Sequence, residues 1–223
     1  MVNKTALVIG ATGLVGSQLI RLLLKDERFS LIKAFVRRST GIRHSKLQEF
    51  IVSFDHPEEW HQNVSGDVAF SALGTTIKTA GSKEAQYKVD HTYQYQFALA
   101  ASQHKVPVYV LVSAAMAHVN SRIFYSRMKG ELERDIKILP FQSIHILQPG
   151  MLSGNRKEVR MGEQIGTRLI RFLNKLGIAK QQKPIDASLV AQAMINASFH
   201  TKKPLQVYTL LQVFDLALSK YPA

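Results

Sequence analysis

The chain of 223 residues contains no cysteine. That absence excludes disulfides, thiolate metal sites and cysteine nucleophiles, and fits a reducing compartment. Acidic side chains are scarce, with 16 Asp and Glu against 29 Lys and Arg, a formal net charge of +13 at pH 7. No apolar run approaches the length of a membrane span, because Arg21 and Lys25 interrupt the longest candidate. No signal-peptide pattern precedes the first apolar run. The eight histidines are scattered without metal-ligand spacing, so no metal site is expected. The expectation from these absences is a cytoplasmic globular protein with no membrane partner.

What is present is concentrated at the start. The apolar run Ala6 to Ile9 meets three glycines spaced three apart, Gly10, Gly13 and Gly16. A helical pattern follows at once, with Val15, Leu19, Leu22 and Leu23 on one face. Strand, glycine turn and helix in that order form a dinucleotide-binding entry. One glycine permits the tight turn, one lets backbone approach a pyrophosphate, and one lets the helix pack closely on the strand. The phosphates then rest on the free N–H groups at the helix start, so Thr12, Leu14 and Val15 join the three glycines as cofactor contacts.

Further apolar runs recur at 31–36, 49–52, 67–72, 107–112, 143–147 and near 206–210. Helical patterns separate most of them, at about 14–25, 83–104, 122–138, 164–176, 186–199 and 211–219. The alternation predicts an α/β fold of Rossmann type, a doubly wound parallel sheet with ligand at the carboxyl ends of its strands. Residues 1–223 read as one NAD(P)-binding domain, in which residues from about 150 onward form a small, mostly helical cap on the substrate side. The loops 74–82 and 154–163 are expected to act as mobile lids.

The second strand ends in Arg37-Arg38, where NAD-binding folds usually carry an acid for the ribose hydroxyls. Guanidinium groups grip a 2′-phosphate that a carboxylate would repel, which favours NADP(H) over NAD(H). Asp55, at the end of the third strand, lies at the level of the adenine; it either accepts from the adenine amino group or caps a loop. Leu73, Gly74 and Thr75 follow the fourth strand and pass beneath the ribose and pyrophosphate, while Asp67 caps the start of that strand and braces the glycine loop. Other basic residues cluster at 154–183, with eight Lys or Arg against Glu158 and Glu163. No nucleic-acid motif accompanies them, so the charge reads as a solvated basic surface around an anionic cofactor, with no specific nucleic-acid partner.

The fifth strand delivers Ser113 to the carboxyl edge, and Tyr125 and Lys129 follow on the helix predicted over 122–138. A spacing of four puts both side chains on one face. A free tyrosine has a pKa near 10, and lowering it by ~3 units takes ~4 kcal/mol of preferential phenolate stabilisation. A lysine ammonium one turn away and a positive nicotinamide ring are groups that supply this. Ser113 could hydrogen-bond the substrate oxygen. The Tyr-x-x-x-Lys spacing arises easily by chance; its place directly after a strand that ends in serine is what carries the reading.

Taken together, Gly10-x-x-Gly13-x-x-Gly16, Leu73-Gly-Thr-Thr76, Val89-Asp90, Ser113, Tyr125-x-x-x-Lys129-Gly-Glu131 and Pro149-Gly150 resemble the atypical short-chain dehydrogenase/reductases. Within them the chain looks like the NAD(P)H-binding, Tat-interacting-protein-like oxidoreductases, similar in turn to sugar-nucleotide epimerases and NmrA-like proteins. The resemblance implies a bound NADP(H), a catalytic Ser113–Tyr125–Lys129 triad, Lys129 also holding the nicotinamide ribose, and a Pro149-Gly150-Met151 turn beside the nicotinamide. Many such relatives dimerise through the helices flanking the fourth and fifth strands, which makes a homodimer one expectation. Ala114 stands where close relatives often show a second serine, and Asp90 where they often carry asparagine. The function expected is NADP(H)-dependent reduction of a small carbonyl compound by hydride transfer, with Tyr125 as proton donor. The basic cap hints at an anionic substrate. A redox sensor that binds NADP(H) without chemistry is the alternative, and a sugar-nucleotide isomerase a third reading that needs a larger substrate domain.

Overall fold

A computed structural model describes residues 3–153 and 184–219. The central strands of the sheet form because short runs rich in β-branched and aromatic residues are buried on both faces, as parallel strands covered by helices require. Its strands are β1 (Lys4–Ile9), β2 (Phe29–Val36), β3 (Leu47–Ile51), β4 (Val68–Ser71), β5 (Val108–Val112), β6 (Ser143–Gln148) and β9 (Leu205–Thr209). All pair in parallel, in the order β3-β2-β1-β4-β5-β6-β9. Two short strands, β7 (Leu152–Ser153) and β8 (Ile185–Asp186), pair separately.

Alternation along the strands splits the core into two layers. Ala6 and Val8 of β1, with Val108, Val110 and Val112 of β5, face α1 (Leu14–Lys25), α6 (Ala187–Ala197) and α7 (Leu211–Leu218). Leu7 and Ile9, with Tyr109 and Leu111, face α4 (Tyr93–Gln103) and α5 (Phe124–Lys137). This is the doubly wound α/β architecture that the apolar alternation predicts. The strand order reverses between β1 and β4, with β2 and β3 on one side and β5 onward on the other, and their adjacent carboxyl ends make the crevice where such sheets take ligands.

Three local features depart from expectation. The single helix expected over 83–104 is divided into α3 (Lys83–Tyr87), a π-helical turn (Lys88–Thr92) and α4. The turn buries Asp90 and His91, and one extra residue re-aims their side chains. The expected loop 74–82 contains a short helix, α2 (Ile77–Ala80), started by the Thr76 hydroxyl accepting from the Thr79 N–H. Asp67 does not reach the glycine loop: its carboxylate accepts from the Thr5 N–H at 2.7 Å, at the opposite end of β1. The helix expected over 164–176, the lid over 154–163 and residues 154–183 of the expected cap lie outside the described residues. Among the described residues no helix is long and apolar enough to cross a membrane.

Candidate functional site

The glycine turn is built as its spacing requires. Gly10 has φ +85°, and a Cβ there would come 2.5 Å from the backbone of Ala72 and Leu73, at the end of β4. A Cβ on Gly16 would lie 2.0 Å from the Gly10 carbonyl oxygen, so only glycine lets α1 start this close to β1. Gly13 takes the N-cap position of α1 without a side-chain cap, and the first turn holds no acid. A bare helix start of this kind keeps its N–H groups and positive dipole end available for an anion.

Beside it lies a groove of about 290 Å³ lined by Gly10, Thr12, Arg37, Arg38, Phe54 and Leu73, among others. Arg37 and Arg38 are exposed at the end of β2. The groove therefore gathers the glycine turn, both arginines, Phe54 and the β4 end from four separated segments, and these residues fit an anionic dinucleotide. Asp55 already has partners: Tyr93 donates to it at 2.6 Å and the Lys88 ammonium lies 2.5 Å away. Those two hydrogen bonds hold its carboxyl below the ordinary range, and they tie the end of β3 to the π-turn.

The second half of the site is organised by α5. Tyr125, Lys129 and Glu133 recur at intervals of four and form one stripe. Tyr125 is 41% exposed, whereas Lys129 and Glu133 are buried at 3% and 4%. The Lys129 ammonium lies 3.1 Å from Asp90 Oδ1 and 6.0 Å from the centroid of the Tyr125 ring. Burial by itself would push the Lys129 pKa down, but the nearby Asp90, Tyr125 and Glu133 outweigh it and leave it above its ordinary value. The other oxygen of Asp90 accepts from the Thr75 N–H at 2.7 Å. One buried carboxylate thus fixes both the lysine and the loop after β4, a role that the sequence left open. Gly74 suits that packing, since a Cβ there would meet Asp90 Oδ1 at 3.3 Å.

Ser113 is buried at the end of β5, and its hydroxyl donates to Glu133 Oε1 at 2.6 Å. The same oxygen accepts from Gln148 Nε2 at 2.8 Å, and Lys137 Nζ lies 3.4 Å from Glu133 Oε2. Sequence reasoning missed Glu133, although its four-residue step from Lys129 was a usable signal. The Pro149 carbonyl accepts from the Ala115 N–H at 3.0 Å, and the Met151 carbonyl from Ile185, so the Pro149-Gly150-Met151 turn follows the backbone beyond Ser113. Among the described residues one group could hold a cation: the exposed His56, Glu58 and Glu59. His56 Nδ1 lies 3.2 Å from Glu58 within that group.

Comparison with known proteins follows the geometry. Residues 5–92 match the model of the semialdehyde dehydrogenase NAD-binding domain. The fold is similar to that of MoeE5 in complex with UDP-glucose and NAD, with TM-score 0.69, 15% identity and coverage of 96% of this chain and 80% of that one. It is equally similar to a short-chain dehydrogenase/reductase superfamily protein from Agrobacterium tumefaciens with bound NAD, at TM-score 0.70, 13% identity and coverage of 92% and 77%. The fold is therefore of Rossmann type, like that of these NAD-bound proteins. Protein FMP52, mitochondrial, of Eremothecium gossypii is 39% identical over 173 residues, 77% of this chain and 75% of the relative. Its namesake in Saccharomyces cerevisiae is 34% identical over 228 residues, 96% of each. The chain belongs to the FMP52 family.

That membership corrects the expected location. The relatives are named mitochondrial, which conflicts with a cytoplasmic protein. The cytoplasmic expectation rested on the missing cysteine together with the missing signal-peptide and membrane-span patterns, and a chain without thiols is chemically indifferent to the redox state of its compartment.

Proposed function

We propose that this protein is an NADP(H)-dependent oxidoreductase that reduces a small carbonyl compound. The observation that carries the reading is the buried Lys129 ammonium, pinned by Asp90 at 3.1 Å and set 6.0 Å from the Tyr125 ring. A bound dihydronicotinamide supplies the hydride to the carbonyl carbon. Tyr125 Oη gives its proton to the carbonyl oxygen, and the positive charge of Lys129 stabilises the phenolate that remains. Lys129 also holds the nicotinamide ribose, and Pro149, Gly150 and Met151 border the nicotinamide. At the other end the pyrophosphate lies on Gly10, Thr12, Gly13, Leu14, Val15 and Gly16, over Leu73, Gly74 and Thr75. Arg37 and Arg38 grip the 2′-phosphate. The chain acts as a homodimer, and it works at the mitochondrion as its relatives' names state. The motif resemblance to the Tat-interacting-protein-like oxidoreductases supports this reading.

The test joins calorimetry to turnover. NADPH is expected to bind at least tenfold more tightly than NADH, and the preference to vanish in Arg37→Ala/Arg38→Ala. Tyr125→Phe should lower the rate of carbonyl reduction about 10²–10⁴-fold while NADPH affinity holds. Equal binding of the two cofactors would sink the arginine assignment, and an unchanged rate in Tyr125→Phe would sink the proton donor. One observation favours a second reading, a cofactor sensor without chemistry: the only hydrogen of the Ser113 hydroxyl is engaged by Glu133 rather than offered to a carbonyl. Tight NADPH binding with no turnover across a panel of aldehydes and ketones would select it.

A further inference from the structure

A second cleft among the described residues lies outside the groove and the Tyr125–Lys129 stripe. It has a volume of about 640 Å³ and opens between α3 with its following π-turn and the start of α5. Lys83 and Lys88 line it from the first segment, Arg122 and Arg127 from the second, and Glu84 is the one acid among its lining residues. On α5, at 100° per residue, positions 124 and 127 lie nearly opposite positions 125 and 129, so this cleft does not extend the proposed reaction site.

Its four cations are not equivalent. Lys88 is neutralised by Asp55 at 2.5 Å. Arg127 donates to the Ser121 carbonyl at 3.1 Å and lies 3.8 Å from Glu131, which holds its guanidinium in place. Lys83 and Arg122 are exposed, and neither has an acidic partner within ion-pair distance among the described residues. The Lys83 ammonium stands 5.8 Å from the centroid of the Phe124 ring, and Tyr87 supplies a second aromatic wall. Like charges collected around one concavity repel each other, and an anion between them relieves that repulsion. Concavity, unbalanced cations and aromatic walls together describe a small-molecule site more closely than a flat electrostatic patch.

We propose that this cleft is a second ligand site, for an organic phosphate that carries a planar ring. The phosphate lies between the Arg122 guanidinium, whose fork suits its oxygens, and the Lys83 ammonium. The ring packs against Phe124 and Tyr87. This site is independent of whether the groove selects NADP(H).

The test is calorimetric titration of the full chain with AMP and with inorganic phosphate, each in the presence of excess NADPH. AMP is expected to bind, to weaken at least tenfold in Lys83→Ala/Arg122→Ala, and to keep its affinity in Arg37→Ala/Arg38→Ala. Both residues of the first pair are exposed, so that variant should melt as wild type does and a lost affinity reports the site. AMP binding that disappears with the Arg37/Arg38 pair, or that ignores the Lys83/Arg122 pair, overturns the proposal. Inorganic phosphate binding as tightly as AMP overturns the ring contact and with it the ligand class.

Discussion

Asp90 and Lys129 show what a single buried pair decides. Each is at most 3% exposed, and their 3.1 Å contact leaves neither charge alone in a low-dielectric setting. Removing one partner strands the other, a change that typically destabilises by about 3–5 kcal/mol. Asp90→Ala is therefore expected to lose stability on that order in urea unfolding, and Asp90→Asn less, since the amide oxygen can still accept from Lys129. The sign of the pH dependence follows from the raised pKa of Lys129. Its contribution is fully present below the unfolded value of 10.5 and is lost only as pH rises through the folded value. Wild-type stability should thus lose nothing through Lys129 between pH 6 and pH 9; deprotonation of Lys129 within that range in the folded wild type would contradict the pairing. Lys129 was legible from its spacing to Tyr125. Its partner was not, because Asp90 is 39 positions away and only packing brings it near.

At the scale of elements, α5 carries the Tyr125, Lys129 and Glu133 stripe, and the loop before it sets how closely it can pack. A Cβ on Gly130 would fall 2.4 Å from the His118 backbone carbon and 2.5 Å from the Val119 nitrogen. The His118 N–H also donates to the Ser126 carbonyl at 3.0 Å, so loop and helix are joined at two points. Gly130→Ala must push them apart, and overpacking of this kind costs about 1–3 kcal/mol. A thermal melt should show the loss, and the proposed reductase activity should fall with it because Tyr125 lies on the displaced helix. A wild-type melting temperature would show that the loop yields freely. The glycine turn and the placing of α5 after a strand that ends in serine follow from local patterns and were legible. The π-turn at Lys88–Thr92 was not, since its extra residue is stabilised by what Asp90 and His91 meet: Lys129, Thr75 and Asp135.

For the whole molecule the acid side is the sensitive one. His145 is fully buried in β6, with Ser143 Oγ 2.9 Å from Nε2 and the Tyr208 hydroxyl 3.4 Å from Nδ1. Burial first, and then the nearby His200, push its pKa down to about 4 from 6.5. Above pH 6.5 the ring is neutral in both folded and unfolded chains. As pH falls from there toward 4, the unfolded chain takes up a proton that the folded one refuses, removing on the order of 3 kcal/mol of stability. Denaturant midpoints measured between pH 7 and pH 4.5 should fall steeply in wild type and more shallowly in His145→Gln. Parallel slopes would remove His145 as the cause.

The order of apolar runs, glycines and helical patterns by itself determined a doubly wound parallel sheet with a dinucleotide-type entry, because period-two and period-3.6 burial and the space a missing Cβ leaves are local properties. It also marked Tyr125 and Lys129, since one helical turn is a local distance. Tertiary structure alone decided that Asp90 holds Lys129, that Glu133 takes the Ser113 hydroxyl, and that Asp55 pairs with Lys88. It also gathered Lys83 and Arg122 at one cleft. Each of these joins charges or hydrogen-bonding groups from distant segments, and burial, which sets their energy, exists only once the layers have closed over the sheet.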